Sequence, residues 1–374
     1  MTAMTIEVLP GGRGDCLWIE CHRDGQPPWR LLFDGGMPGS WDALRARIES
    51  MPAAERFIDL AVVSHIDADH IGGMLPLFGS DDLGVTFGDV WFNGLAHLPD
   101  PAALGPNRGL VGTRSVSQGE SLVALLGGSG AGPELPWNRV FDGGPVTTGE
   151  DAAFFQVHKP GWPAITLLSP TDHRLALLGK LWERELEKVY RGEPAEPAAL
   201  PEPPAVLDDL EELAATKTGN DGSVPNGSSI AFLLEHRGAS CLLTGDAFHP
   251  VLGAALTSLV DHRGGTPIGI DVYKVSHHGS KGNTVPSLLA MTPARHYVLS
   301  TNGDRFNHPD DVGVARIVNA APPDATLWFN YANPRNARWN DPALCQRYSY
   351  SVRYPAADAV GVTIELPVAE RAAR

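Results

Sequence analysis

The stretch Ser64-His65-Ile66-Asp67-Ala68-Asp69-His70-Ile71-Gly72-Gly73 places two imidazoles and two carboxylates within six consecutive positions. Both side-chain types bind divalent cations, and a turn this short can set them around two adjacent ions. The two glycines that follow allow close backbone approach and the start of a helix. Two further groups of the same chemistry lie downstream, Asp246 in LLTGDA and the pair His277-His278 in YKVSHHGS. Three such groups, each following an apolar run, argue against a chance cluster of surface charge. The chemistry they could support is hydrolysis by water activated between two cations.

Those groups need elements to hold them. Ile58 to Val63 is a short apolar run of strand type that delivers the chain into His65. Ser229 to Leu234 and Ser240 to Leu243 read as strands joined by a turn at residues 236–238, the second ending at Thr244-Gly245-Asp246. Strand Ile270 to Val275 ends at Ser276-His277-His278-Gly279-Ser280. Upstream, Thr5 to Leu9, Cys16 to Cys21 and Trp29 to Phe33 form a β-meander ending at Asp34-Gly35-Gly36. Strand character also marks Val90 to Phe92, Ile165 to Leu168 and His296 to Ser300. Helical spacing marks 41–50, Ile71 to Phe78, Ser117 to Leu126, Leu175 to Val189, Pro250 to Val260 and Pro286 to Met291. Strands and helices alternate, with polar clusters at strand ends, which is the pattern of an α/β protein.

At 374 residues and 43% hydrophobic content the chain can bury a sizeable core, and one domain over 1–374 is expected. No apolar run approaches the roughly 18 residues that span a bilayer, and the N-terminus lacks the features of a signal peptide. No membrane partner is expected, and the cytoplasm is the default location. Four scattered cysteines without a Cys-x-x-Cys pair read as buried free thiols. The net charge of −15 argues against a broad phosphate-binding surface, yet the charge is uneven. Residues 192–216 hold seven acids and no base, whereas residues 271–374 hold eleven Lys and Arg against nine acids. The Pro- and acid-rich stretch 192–225 reads as a mobile insertion with a short helix at Val206 to Leu213. Without residues 192–216 the charge would be −8, so the segment could shield a basic face as a nucleic-acid mimic until it moves or a protease cuts it.

Gly14-Asp15, Asp34-Gly35-Gly36, SHIDADHIGG, Asn226-Gly227-Ser228-Ser229 through LLTGDA, KVSHHGSK and His308-Pro309 follow one another over nearly the whole chain. In this order they resemble the metallo-β-lactamase superfamily, and the hydrolase domain of the ComEC competence proteins more closely than the lactamases themselves. The resemblance implies a four-layer αββα sandwich with the site along the edge between two β-sheets. It assigns His65 and Asp67 to a first metal, Asp69 and His70 to a second, and Asp246 to a bridge between them. One histidine of the His277-His278 pair would complete the second shell. His277 is favoured because it comes first after the strand, with His278 then facing substrate; the reverse order stays open.

Two departures from the superfamily pattern bear on the chemistry. Asp67 replaces the usual middle histidine, and the usual third-motif histidine has no clear counterpart. Asp172 and His173 lie in the right region, although a helix cap explains them equally well. Carboxylate-rich shells suit Mn²⁺ or Mg²⁺ and imidazole-rich shells suit Zn²⁺, so two divalent ions with manganese favoured and zinc or magnesium open are expected. Asp69 or Asp67 could orient the attacking water, and His278 or His308 could protonate the leaving group. Lys274, Ser280, Lys281 and Arg305 flank the site as candidate phosphate contacts, and Asn226 with Ser228 and Ser229 as metal support or a plain turn. The leading expectation is a phosphodiesterase or nuclease acting on DNA. A small-molecule phosphodiesterase or lactonase, and a metal-binding scaffold without catalysis, are the alternatives.

Overall fold

The computed structural model describes residues 1–98, 113–128, 134–149, 153–191, 204–304, 307–357 and 359–369. Its first strands are β1 (Thr2–Val8), β2 (Leu17–Arg23) and β3 (Gln26–Phe33), an antiparallel meander in which Ile6 faces Ile19 and Ile19 faces Leu31. Helix α1 (Trp41–Glu49) and β4 (Phe57–Ile58) lead to β5 (Leu60–Val62), which pairs in parallel with β3. Then come α2 (Ala68–Ile71), α3 (Met74–Gly79), β6 (Thr86–Phe87), β7 (Val90–Trp91) and α4 (Thr113–Leu126). The two histidines and two acids of the cluster therefore straddle a helix start. The break between α2 and α3 falls at Gly72-Gly73, because a Cβ on Gly73 would collide with the carbonyl oxygen of Gly35.

The second half begins with β8 (Phe155–Val157), β9 (Ala164–Ser169), α5 (Asp172–Arg191), α6 (Leu210–Ala214), α7 (Val224–Gly227), β10 (Ala231–His236) and β11 (Ala239–Leu243). It continues through α8 (His249–His262), β12 (Ile270–Lys274), α9 (Pro286–Met291), β13 (Ala294–Leu299), α10 (Asp311–Ala320) and β14 (Ala325–Phe329). The last elements are α11 (Pro334–Ala337), α12 (Pro342–Tyr348), β15 (Tyr350–Arg353) and β16 (Val362–Pro367). Strands β11 to β15 lie parallel, each joined to the next by helix, as parallel pairing requires. They form an eight-stranded sheet ordered β15-β14-β13-β12-β11-β10-β9-β8. The other large sheet is ordered β16-β1-β2-β3-β5-β7, so the final strand returns to pair with the first.

Alternation along the strands divides the core into three. In β2, Leu17 and Ile19 point to one side and Trp18 to the other; in β10, Phe232 and Leu234 oppose Leu233. Ile19, Phe33, Phe232 and Val272 fill the space between the sheets. Trp18 and Leu32 pack outward on Leu44, Met74, Leu122 and Trp182 of α1, α3, α4 and α5. Leu233 and Tyr273 pack outward on Leu256, Leu288 and Ile317 of α8, α9 and α10. The architecture is mixed α/β, with two facing sheets and helices on both outer surfaces. Among the described residues no helix is long and apolar enough to cross a membrane.

Residues 204–225 differ from the expected mobile insertion. Leu210 on α6 is fully buried in the outer core, and the Ala205 amide donates to Asp311 Oδ2. Arg316, itself buried, donates to the carbonyls of Ala214 and Thr216. The helix starts at Leu210 rather than Val206 because Asp209 caps it, its carboxylate accepting from the Glu212 amide. Leu210, the partly buried Leu207, Leu213 and Ala214, and a set of capping and backbone bonds attach a segment whose composition reads as solvent-exposed. Residues 192–203 lie outside the described residues.

Candidate metal centre

Three strand ends meet along one edge of the two large sheets. β5 releases the chain into Ser64 to His70, β11 into Thr244 to Asp246, and β12 into Ser276 to Gly279. The last turn is unusual, since His277 (φ 48°) and His278 (φ 54°) are both left-handed, which costs roughly 1–3 kcal/mol per residue. The His277 amide donates to Gly245 O, joining the second and third turns, while the Asp246 amide donates to Ser229 Oγ and the Ile230 amide to Ser64 O, linking the second and the first through the start of β10.

Four imidazoles surround the Asp246 carboxylate. Its Oδ2 lies 3.4 Å from His70 Nε2, 3.8 Å from His277 Nε2 and 3.9 Å from His65 Nε2; its Oδ1 lies 3.6 Å from His278 Nε2. Asp67 Oδ2 is 3.6 Å from His65 Nε2, and Asp69 Oδ2 is 4.0 Å from His278 Nε2. These separations are mostly too long for hydrogen bonds and suit ligand atoms that share ions at about 2.0–2.2 Å each. His65 Nε2, His70 Nε2, His278 Nε2 and Asp246 Oδ1 are buried with no hydrogen-bond partner in the protein. Leaving several such atoms together would cost roughly 1–3 kcal/mol apiece, so the donor set fits a metal centre.

The opposite ring nitrogens of His65, His70 and His277 are held by neighbouring oxygens. His70 Nδ1 donates to Asp34 Oδ2 at 2.8 Å, and Asp34 accepts from the amide and hydroxyl of Ser64. His277 Nδ1 donates to Asp221 Oδ2 at 2.8 Å, while His65 Nδ1 lies 3.0 Å from Ser64 Oγ and 3.2 Å from Ser229 Oγ. His278 Nδ1 faces Asp15 Oδ1 at 3.4 Å without a hydrogen bond. The hydrogen bonds of His65, His70 and His277 select the tautomer that leaves Nε2 available to a metal.

Burial opposes charge on Asp246, His70 and His277, and their neighbours outweigh it. Asp246 is held well below the ordinary carboxylate range by His278, His70 and His277. His70 is raised by Asp246 and Asp34, and His277 is pushed up to about 9 by Asp246 and Asp221. His308 goes the other way, since burial and the charge of His277 and His278 both push it well below its usual value.

Several expected contacts fall elsewhere. Lys274 is fully buried; its ammonium pairs with the equally buried Asp15 and donates to Gly245 O, so it lies within the protein and not on a phosphate path. Burial opposes ionisation of Asp15, but Lys274 and His278 hold it well below the usual range. Ser280 is buried and its hydroxyl accepts from the Gly282 amide, while the Lys281 backbone joins Asp310 and Arg316; neither residue lines the cavity over the cluster. Asn226 does line it, donating to Asp221 Oδ2 at 2.8 Å, and so supports the partner of His277. Ser228 donates to Pro225 O within its own turn. Asp172 accepts from the Thr147 hydroxyl in the first turn of α5 and His173 is exposed, so neither joins the cluster. Arg305 lies outside the described residues.

The cavity measures about 240 Å³ and is lined by Asp67, Asp69, Asp246, His277, His278 and His308, with Arg13, Asp221 and Asp304 among the others. Asp15, Asp34 and Asp221 are the supporting carboxylates that sequence reasoning did not place. Asp15 and Asp34 sit in two of the recurrent motifs, but Asp221 gave no signal because its segment reads as an insertion.

No protein-family model matches the chain, and no curated protein matches it. Among solved structures it is similar to CmlA, a diiron beta-hydroxylase from Streptomyces venezuelae, at 11% identity and a TM-score of 0.40. That match covers 98% of this chain and 55% of that one, so the chain spans about half the length of that protein.

Proposed function

We propose that the protein is a metal-dependent hydrolase of the metallo-β-lactamase superfamily that cleaves phosphodiesters, with DNA as its substrate. The observation that carries the metal-dependent part is the set of imidazole Nε2 atoms around Asp246, of which those of His65, His70 and His278 are buried and unpartnered, while the Nδ1 atoms of His65, His70 and His277 are hydrogen-bonded. The choice of DNA rests on the order of the sequence motifs.

His65 and Asp67 would hold one cation, Asp69 and His70 the other, with Asp246 between them. His277 and His278 both direct Nε2 at Asp246, from 3.8 and 3.6 Å, so the pair is assigned one to each ion. His277 then supplies the imidazole for which no third motif was found. Bound there, two divalent ions make water acidic enough to act as a nucleophile near neutral pH and offset charge on a phosphoryl oxygen. Asp67 and Asp69 line the cavity, where a carboxylate oxygen could orient that water. His308 lines the same cavity and can hydrogen-bond to substrate there.

A second reading, a small phosphodiester as substrate, is favoured by the cavity. Its 240 Å³ lies below the roughly 300–1,000 Å³ of sites for drug-sized ligands. Single- and double-stranded DNA, RNA and bis-nitrophenyl phosphate, each with Mn²⁺, Mg²⁺ or Zn²⁺, separate the readings. Cleavage of DNA supports the first, cleavage of the nitrophenyl ester alone supports the second, and no turnover of any substrate by fully metal-loaded protein would overturn both.

A further inference from the structure

We propose that Arg13 binds an anionic oxygen of the substrate's phosphoryl group, which makes the loop Gly12-Arg13-Gly14 a recognition element beside the metal cluster. This rests on the phosphodiester reading above. Arg13 is the one arginine or lysine among the described residues that line the cavity, against Asp67, Asp69, Asp221, Asp246 and Asp304. Its tie to those acids is loose. Nε stands 3.7 Å from Asp69 Oδ2, beyond hydrogen-bond reach, and is buried with no acceptor. The side chain keeps 19% exposure and lines the cavity where a ligand would sit. Its planar fork of donors matches two oxygens of a phosphoryl group.

The backbone beneath the side chain is fixed from several directions. The Gly12 amide donates to Tyr331 Oη at 2.8 Å, and Gly12 O accepts from the Asn302 amide at 2.8 Å. Gly14 O accepts from Ser300 Oγ at 3.0 Å, and the next amide, of Asp15, donates to Asp69 O at 3.2 Å. A Cβ on Gly14 would collide with that same Asp69 carbonyl, so glycine is what lets the loop lie against the metal turn. A preorganised cation loses little on binding an anion, since its position is set before the ligand arrives. A counter-charge for Asp69 would be placed at hydrogen-bond distance, and it would repel the cations that Asp69 is there to hold.

The two roles predict opposite effects of Arg13→Ala. As an anion contact, its loss weakens binding of inorganic phosphate to the manganese-loaded protein by about tenfold or more, measured by calorimetry, and raises KM for bis-nitrophenyl phosphate comparably. Manganese affinity stays the same or tightens, because a nearby positive charge is gone. Arg13→Lys, which keeps the charge without the fork, recovers part of the phosphate affinity. Unchanged phosphate affinity and KM in Arg13→Ala would overturn the proposal, as would weakened manganese binding with normal phosphate affinity once the metal is saturated. If the wild type turns over no phosphodiester but Arg13→Ala still weakens phosphate, the hydrolase reading fails and the anion contact stands. If the wild type binds no phosphate, the anion contact fails.

Discussion

Asp246 is the residue on which the others converge. Asp246→Asn keeps the shape and removes the charge, so bound metal should fall from two ions per chain to one or none, and hydrolysis by at least about a thousandfold. Metal analysis and rates on one preparation check it; full metal content with full activity would contradict the assignment. Lys274 makes a different prediction, because it serves the buried Asp15. Lys274→Met strands that carboxylate and should cost about 3–5 kcal/mol in denaturant unfolding, part of which the added change Asp15→Asn restores. A melting curve unchanged by Lys274→Met would show that the pair is dispensable. From sequence, Lys274 reads as one more basic residue beside a motif, since burial is a property of the packed molecule.

At the scale of elements, the segment before α7 and the turn after β12 depend on each other. Asp221 comes from the first and His277 from the second, and Arg316 on α10 donates to Thr216 O, Thr218 Oγ1, Lys281 O and Thr284 O, joining both. Arg316→Met leaves those acceptors short of a donor and should cost about 2–4 kcal/mol of stability. Because Asp221 would lose its anchorage, manganese affinity should fall as well, and a titration with unchanged affinity would separate the two segments. Removal of residues 192–203 alone spares Leu210 and Asp221. It is therefore the appropriate test of an inhibitory acidic segment, with increased DNA cleavage expected and unchanged cleavage counting against the idea. Most strands before Pro309 were legible because their apolar residues alternate or run between turn residues, whereas the short β6 and β8 were not read. Attachment of the acidic segment was not, because it depends on how its few apolar residues pack on the outer core and on carbonyl groups that every sequence has.

For the whole molecule, the centre links stability to metal and to pH. His70 and His277 are raised in the metal-free fold, so their stabilisation is complete below the unfolded value of about 6.5 and is lost as pH rises through the folded value, about 9 for His277. Asp15 and Asp246 are depressed, so theirs is present above about pH 4 and lost on acidification. The chelated protein should thus melt at a lower temperature at pH 9 than at pH 6. Manganese at 100 times its Kd should add about 2.7 kcal/mol per site and remove the alkaline loss, since the ions replace the protons. Equal melting temperatures at both pH values without metal would count against this charge balance.

Residue types and strand-end positions determined the metal-competent set, His65, Asp67, Asp69, His70, Asp246 and the 277–278 pair, and the alternation of strand and helix determined an α/β protein. Both are local properties, carried by spacing along the chain. Only the tertiary structure decided that both histidines of the pair point at Asp246, that Asp15, Asp34 and Asp221 stand behind the rings, that Lys274 is internal and that Arg13 faces the cavity. Each of these joins residues distant in sequence, and their distances are set by how two sheets and their outer helices pack.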